Sequence, residues 1–199
     1  MLEINFITSN AGKVAALKRS LAQKGIGRVI VNARNLNLME PQFDTVAEVS
    51  AFKARQAYEI LKKPVLVEDG GFCIEALKGF PGVYTKYILG TIGAEGLMKM
   101  MDGVENRRAR FAGHATFIDE YGQMHSFARK KGDVLIAKKM SEINSPFAWS
   151  DLWKIVYVPE TGKILSEMNE AEVESFYHDN NAIGSVQQFA AWYVQNYNL

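Results

Sequence analysis

The chain has 199 residues, of which 48 % are hydrophobic and 23 % charged, a composition typical of a globular protein rather than a disordered one. Its 23 basic and 22 acidic side chains give a net charge of +1, which argues against a nucleic-acid partner, because such binding usually needs a basic face. No stretch approaches the roughly 18 apolar residues of a membrane span, and the single cysteine, Cys73, excludes an internal disulfide. We therefore expect a cytoplasmic protein that binds neither nucleic acid nor a membrane.

The first third of the chain alternates between predicted strands and helices. Short apolar runs predict the strands, and apolar residues at helical spacing predict the helices. In chain order these are a strand at 2–7, a helix ending near Gly25, a strand at 29–31, a helix over 45–62 and a strand at 65–67. The last strand is expected to end abruptly in the turn Glu68-Asp69-Gly70-Gly71.

The rest of the chain predicts more strand than helix. A short strand at 72–76 and a turn at 80–82 precede helices near 83–89 and 93–101. The later elements are an antiparallel meander at 109–118, 122–129 and 133–138, strands at 155–158 and 162–165, and a closing helix of roughly 181–196. Because helices alternate with strands early and a meander follows, we expect one mixed α/β domain over residues 1–199.

A turn of small and polar residues joins the first strand to the first helix. Thr8 and Ser9 supply hydroxyls, Asn10 an amide, and Lys13 a positive charge one turn into the helix. Unpaired N–H groups and the positive end of the helix dipole make such a turn suitable for an anion. It is not a Walker A loop, which needs a longer glycine-rich run. An N-capped helix with an exposed lysine would explain these residues equally well.

Two adjacent carboxylates follow the apolar strand at 65–67. Glu68 and Asp69 then lie at its C-terminal end, where α/β sheets usually bind ligands. Carboxylates there need a cation or good hydrogen bonds. Mg²⁺ is the natural candidate, because it binds through one or two carboxylates plus substrate phosphates. Gly70 behind them allows a ligand to approach the backbone closely. The alternative is an acidic turn that faces solvent.

Other charged residues give weaker signals. Glu48 and Lys53 lie on one predicted helix but about 500° apart around its axis, so they do not form a simple ion pair. Lys86 follows a rigid Phe-Pro-Gly turn. A solvated surface explains each of them taken alone. His114 is expected to be structural, and His178 precedes the final helix as either a cap or a ligand contact.

The order and spacing of these motifs resemble those of the inosine/xanthosine triphosphate pyrophosphatase family, from residue 2 to about 118. The family's [ST]-G-N-x-x-K motif corresponds to Thr8–Lys13, its metal-binding glutamate to Glu48, its acidic turn to LVEDGG and its P-G-x-Y-x-[KR] motif to PGVYTK. The resemblance implies an α/β fold in which two lobes form an elongated domain around a central mixed sheet flanked by helices. It also implies a Mg²⁺ requirement and a homodimer.

The resemblance further implies a role for each residue. Those expected to bind the triphosphate are Thr8, Ser9, Asn10, Lys13, Lys53, Gly70 and Lys86. Glu48 and Asp69 would hold Mg²⁺, while Glu68 and Asp69 would orient or deprotonate the water that attacks the α-phosphorus. The implied activity is cleavage of a nucleoside triphosphate to the monophosphate and pyrophosphate. The alternative is a non-catalytic nucleotide-binding or regulatory protein, against which the retained pair of carboxylates argues.

The C-terminal third departs from the family's base-recognition motifs. In "PFAWSDLWKIVYVP", Phe147 and Trp149 match the F-G-[WY]-D-P motif, whose aspartate position falls on Ser150 or, in a shifted alignment, on Lys154. The family's next lysine corresponds to Val173. We expect the aromatic pair to contact the base.

The family's S-H-R motif corresponds to Tyr177-His178-Asp179. His178 and Asp179 are therefore also expected to contact the base. A carboxylate in place of arginine favours a base that presents hydrogen-bond donors, such as guanine, adenine or an amino-modified purine, over inosine. Capping of the final helix explains Asp179 equally well.

Overall fold

The computed structural model describes residues 2–25, 29–130, 132–143, 145, 148–178 and 184–197. Nine strands lie in this part of the chain: β1 (Leu2–Ile7), β2 (Val29–Arg34), β3 (Val65–Ile74), β4 (Pro81–Gly82), β5 (Arg108–Ile118), β6 (Met124–Ala128), β7 (Asp133–Ile136), β8 (Val156–Val158) and β9 (Lys163–Ile164). The α-helices of the described residues are α1 (Ala11–Gln23), α2 (Val46–Leu61), α3 (Thr85–Thr91), α4 (Gly93–Met100), α5 (Glu170–His178) and α6 (Ser185–Asn196). This confirms the α/β fold with a mixed sheet and flanking helices.

The chain divides into two compact units. The first consists of Met1–Gly70, Gly113–Lys130 and Ile183–Leu199, and the second of Gly71–Ala112 and Lys131–Ala182. Strands β3 and β5 each contribute residues to both units. No helix in the described ranges is long and apolar enough to cross a membrane.

The sheet of the first unit combines parallel and antiparallel pairs. Strand β1 lies between β2 and β3 and is parallel to both, whereas β5 and β6 pair antiparallel. One apolar cluster joins β1 and β3 to α1 and α6 and includes Leu17, Leu66 and Phe189. A second cluster joins β3 to α2 and includes Val65 and Ala57. Because side chains of a strand alternate between its faces, β3 contributes to both clusters.

Strand β3 corrects one prediction from the sequence. It continues from Val65 to Ile74 through Glu68 and Asp69, so the predicted turn at these carboxylates is wrong. Beyond them, Phe72 is buried and pairs with Gly82 of β4. Each carboxylate forms an ion pair with a lysine, as described below. The strand can therefore continue without exposing the two charges to solvent.

The second unit has its own apolar core. It includes Phe72, Leu97, Trp153 and Val156, which come from strands, helix α4 and a 3₁₀ turn. Strands β7, β8 and β9 pair antiparallel in sequence order. Val173 also belongs to this core, with 5 % of its surface exposed.

The C-terminal helices differ from the predicted ones. Helix α5 was not predicted, and α6 begins at Ser185 rather than near 181. Helix α5 has a weak sequence signal, because its acidic start shows no clear apolar stripe. Its buried Val173 becomes meaningful only once the core of the second unit is assembled.

Candidate functional site

Alternation along β3 places the two carboxylates on opposite faces of the sheet. Leu66, two residues before Glu68, packs in the cluster with α1 and α6. Val67, two residues before Asp69, packs in the cluster with α2. Because residues i and i+2 share a face of a strand, Glu68 faces α1 and Asp69 faces α2. Each helix contributes one of the lysines predicted from the sequence.

Lys13 of α1 pairs with Glu68. The Lys13 Nζ lies 2.8 Å from the Glu68 Oε2 and donates a second hydrogen bond, also 2.8 Å, to the Glu68 carbonyl oxygen. Asn10 caps the helix by accepting from the Lys13 N–H at 3.2 Å, and Thr8 Oγ1 accepts from the Asn10 N–H at 3.0 Å. The polar turn thus fixes the helix start that aims Lys13 at β3, while Ser9 is exposed.

Lys53 of α2 pairs with Asp69 and with a second carboxylate. The Lys53 Nζ lies 3.3 Å from the Asp69 Oδ2 and 2.6 Å from the Glu40 Oε1. Burial by itself would lower the pKa of Lys53, but the hydrogen bond that it donates to Glu40 and the charge of Asp69 outweigh this effect and raise the pKa. The other oxygen of Asp69 accepts from the Gly70 N–H at 2.8 Å. Lys53 is therefore held as a cation.

Glu40 is a site residue that the sequence interpretation missed. It lies in the segment between β2 and α2, thirteen positions before Lys53, and no helical or strand period connects the two residues. Only the path of that segment brings its carboxylate to the ammonium group. The one local signal was an acidic residue next to Pro41, which is too common to interpret.

Glu48 has a structural role at the start of α2. Its Oε2 accepts from the Thr45 N–H at 3.0 Å and from the Thr45 hydroxyl at 2.7 Å, while its own N–H donates to Thr45 Oγ1. This reciprocal arrangement is a capping box, which satisfies free N–H groups of the first turn. Metal binding by Glu48 stays a prediction.

The carboxylates of the first unit suit a hard divalent cation. Asp69 and Glu40 contact the same ammonium group, so both carboxylates face one position beside Lys53. Within the described ranges, no three His, Cys, Asp or Glu side chains form a metal-binding group. Mg²⁺ needs only one or two carboxylates when phosphate oxygens complete its shell. The donor set therefore fits Mg²⁺ bound together with a phosphate ligand.

A buried polar cluster supports α2 behind this site. Ser50 Oγ lies 2.9 Å from the His114 Nδ1 and 2.9 Å from the Thr116 Oγ1. Ser50 and Thr116 are fully buried, and burial lowers the pKa of His114. His114 therefore serves as the structural histidine that the sequence predicts. The cluster joins β5 to the helix that carries Lys53.

The second unit holds the remaining candidates that the structure describes. Lys86 is exposed on α3, whose first residue, Thr85, accepts from the Phe72 N–H at 2.8 Å and donates to the Gly82 carbonyl at 2.7 Å. These bonds fix the turn that precedes Lys86. Phe147 and Asp179 lie outside the described residues, as does the side chain of His178 at the end of α5.

Trp149 lies in an aromatic cluster of the second unit. Its ring centroid is 6.1 Å from that of Phe111, which in turn lies 5.1 Å from Phe72 and 6.4 Å from Phe176. Trp149 is 56 % exposed, whereas Phe72 is fully buried. The cluster therefore presents an indole ring to solvent on a packed aromatic base, which suits the stacking of a planar ligand.

Comparison with known proteins places the chain in a family. A dITP/XTP pyrophosphatase of Methanopyrus kandleri is 33 % identical over 98 % of both chains. An inosine triphosphate pyrophosphatase of Podospora anserina is 33 % identical over 95 % of this chain and 94 % of its own.

Two solved structures share the fold. A HAM1 protein from Coxiella burnetii matches with a TM-score of 0.80 at 20 % identity, covering 98 % of this chain and all of its own. The Ham1 protein of Staphylococcus aureus matches with a TM-score of 0.76 at 23 % identity, over 96 % of this chain and 99 % of its own. A family model described as the Ham1 family matches residues 4–189, and the chain therefore belongs to the Ham1 family.

Proposed function

We propose that residues 1–199 act as one nucleoside triphosphate pyrophosphohydrolase, which cleaves a nucleoside or deoxynucleoside triphosphate to the monophosphate and pyrophosphate. The observation that carries the proposal is the pairing of two lysines with two adjacent carboxylates of β3. Such a site offers cations for phosphate oxygens and carboxylates for a metal ion and a water molecule. The names of the relatives, dITP/XTP and inosine triphosphate pyrophosphatases, support it.

The lysines would bind and position the triphosphate. In the structure, the ammonium groups of Lys13 and Lys53 are occupied by carboxylates, so a phosphate group would take over these contacts when it binds. Lys86 would add a third cation, and the N–H groups from Thr8 to Lys13 would supply further donors. Charge-assisted hydrogen bonds of this kind contribute about 1.5–3 kcal/mol each.

Hydrolysis requires a positioned water molecule. Its oxygen attacks the α-phosphorus, its proton passes to the carboxylate of Glu68 or Asp69, and the bond to the bridging oxygen breaks. Pyrophosphate leaves with that electron pair. Catalysis of this type depends on positioning and on stabilisation of developing charge rather than on a nucleophilic side chain.

We propose Mg²⁺ as the cation, held by Asp69 with either Glu40 or the sequence-predicted Glu48. When bound, Mg²⁺ would neutralise the charge that develops on the phosphate oxygens. Glu40 is the better placed partner, because it contacts the same ammonium group as Asp69. The carboxylate of Glu48 is engaged in the capping box.

The base preference is the most specific part of the proposal. Trp149, with Phe147, would stack on the base, and His178 and Asp179 would contact its edge. Val173, in the position of the family's lysine, is buried in the core of the second unit, so it offers the base no donor. We therefore expect a purine or modified purine that presents donors, such as guanine or adenine, to be preferred over inosine.

The resemblance to the pyrophosphatase family also leads us to propose a homodimer that acts in the cytoplasm. Aromatic side chains would suit an apolar interface as well as a core. Light scattering at micromolar concentration tests the dimer, which a monomeric mass would exclude. Microscopy of the tagged protein tests the location.

The experiment that tests the function measures pyrophosphate and phosphate release separately. The purified chain is incubated with ITP, XTP, dGTP and dATP, each with Mg²⁺ and with EDTA. We expect release of pyrophosphate only, dependent on Mg²⁺, with the highest kcat/KM for a donor-bearing base. Binding without turnover would indicate the non-catalytic alternative. ITP as the best substrate by tenfold, unchanged in Asp179→Arg, would contradict the proposed base preference alone.

A further inference from the structure

Helix α6 reaches the candidate catalytic carboxylate from the far end of the chain. The hydroxyl of Ser185, its first residue, donates to the Glu68 Oε1 at 3.2 Å, although the two residues are 117 positions apart. Ser185 is 2 % exposed, so the contact is shielded from solvent. The second oxygen of Glu68 is held by Lys13. Each oxygen of the carboxylate thus has its own partner.

The surroundings of this contact restrict the movement of the Glu68 carboxylate. The N-cap of α6 is Gly184, which has no side chain to satisfy the free N–H groups of the first turn. A negative charge near that end is stabilised by the helix dipole. Gly113 of β5 flanks the contact closely, because a Cβ there would lie 3.4 Å from the Ser185 Oγ and 3.6 Å from the Glu68 Oε1.

We propose that Ser185 is a positioning residue that keeps the Glu68 carboxylate oriented during hydrolysis, an inference that rests on the proposed function. Substrate binding affects the two partners of Glu68 differently. A triphosphate competes for the Lys13 ammonium group and frees the Glu68 Oε2 toward the attacking water. The Ser185 hydroxyl is neutral and buried, so it keeps its hydrogen bond to the Glu68 Oε1 and prevents rotation of the carboxylate.

The test is a double-mutant cycle with Ser185→Ala and Glu68→Gln, read as kcat and KM for pyrophosphate release. Ser185→Ala removes a hydrogen bond to a charged group, and we expect this loss to lower kcat about tenfold. KM should change by less than about twofold, because substrate binding uses Lys13 and not Ser185. In the Glu68→Gln background, the same serine change should cost less than about twofold.

Controls separate positioning from folding. Ser166→Ala removes another buried hydroxyl, one without a hydrogen-bond partner among the described residues, and should leave kcat unchanged. Ser185→Cys keeps the size of the side chain but donates weakly, so it should lower kcat several-fold even if the alanine variant does not fold. Wild-type kcat in the cysteine variant would overturn the proposal.

Three further outcomes are decisive. An equal loss of kcat in the wild-type and Glu68→Gln backgrounds would show a merely structural role for Ser185 and overturn the positioning proposal. A wild-type chain that releases no pyrophosphate would overturn the proposed function, and positioning for hydrolysis with it. Wild-type activity that survives Ser185→Ala would overturn the positioning role alone.

Discussion

The lysine–carboxylate pairs of the first unit and the aromatic cluster of the second are built in different ways. Glu68 and Asp69 are neighbours in one strand, and each meets a lysine near the start or middle of a helix. Trp149, in contrast, packs with aromatic side chains from distant parts of the chain. The residues of the charged site therefore lie in short local motifs of the sequence, whereas the stacking site depends on how loops and strands assemble. The first leaves motifs that can be recognised, and the second leaves few.

The largest expected effect tests the charged region. Asp69→Asn removes a carboxylate that contacts Lys53 and is proposed to act in catalysis, so kcat should fall by at least about 10²-fold. Pyrophosphate release under saturating Mg²⁺ measures this loss. The matched change at exposed Asp102, Asp102→Asn, should have little effect. Near wild-type turnover in Asp69→Asn would remove the basis of the catalytic assignment.

The next prediction asks which glutamate joins Asp69. Glu40→Gln should raise the Mg²⁺ concentration for half-maximal activity by at least about tenfold, since even outer-shell partners of a metal have effects of that size. Glu48→Gln is a suitable comparison, because glutamine also forms a capping box and keeps the start of α2 intact. The Mg²⁺ titration should therefore change little in Glu48→Gln. The reverse result would support the metal site predicted from the sequence.

Binding measurements then separate phosphate recognition from base recognition. Lys13→Ala should weaken triphosphate binding by about 1.5–3 kcal/mol while affecting the monophosphate much less. Calorimetry with both ligands measures the difference, and Lys18→Ala, an exposed lysine of the same helix, serves as the control. Equal losses for the two ligands would mean that Lys13 does not contact the distal phosphates.

The aromatic region has the complementary prediction. Trp149→Ala removes the exposed indole, so nucleotide binding should weaken by about 1–3 kcal/mol, the range for stacking of one base. Binding of inorganic tripolyphosphate, which has no base, should stay the same. Tyr121→Ala, at another highly exposed aromatic residue, provides the control. A parallel loss of tripolyphosphate binding would show that Trp149 acts on the phosphates or on the fold.

The smallest effect concerns the buried cluster behind Lys53. Burial lowers the pKa of His114, so near pH 6.5 and below the unfolded chain binds a proton that the native chain does not. The free energy of unfolding should therefore fall as pH drops below about 6.5, by at most about 1.4 kcal/mol per pH unit. Urea denaturation from pH 7.5 to 5.0 measures this slope. The difference from His114→Gln isolates the contribution of His114, and identical slopes would contradict it.

Local regularities determined much of this molecule. Helical spacing and the polar turn at Thr8–Lys13 predicted α1 and its cap, and the two strands on either side of a short turn predicted the antiparallel pair β5 and β6. The adjacent carboxylates of β3 were predicted as site residues from their position after an apolar run, whereas the role of Lys53 was implied by the resemblance to the pyrophosphatase family. A charge at the end of an apolar run must find a partner.

Only the tertiary structure decided the rest. It showed that β3 continues through Glu68 and Asp69, that Glu40 meets Lys53, and that Ser185 reaches Glu68. A turn was predicted at the two carboxylates because the apolar run ends abruptly in two charges and two glycines, a pattern typical of a turn exposed to solvent. Helices on both faces of the sheet supply lysines in place of that solvent. Such contacts join residues that no helical or strand periodicity relates. The physical reason is that the spacing of residues along a strand or helix determines which face of the element a side chain lies on. Long-range packing determines which residues that side chain contacts.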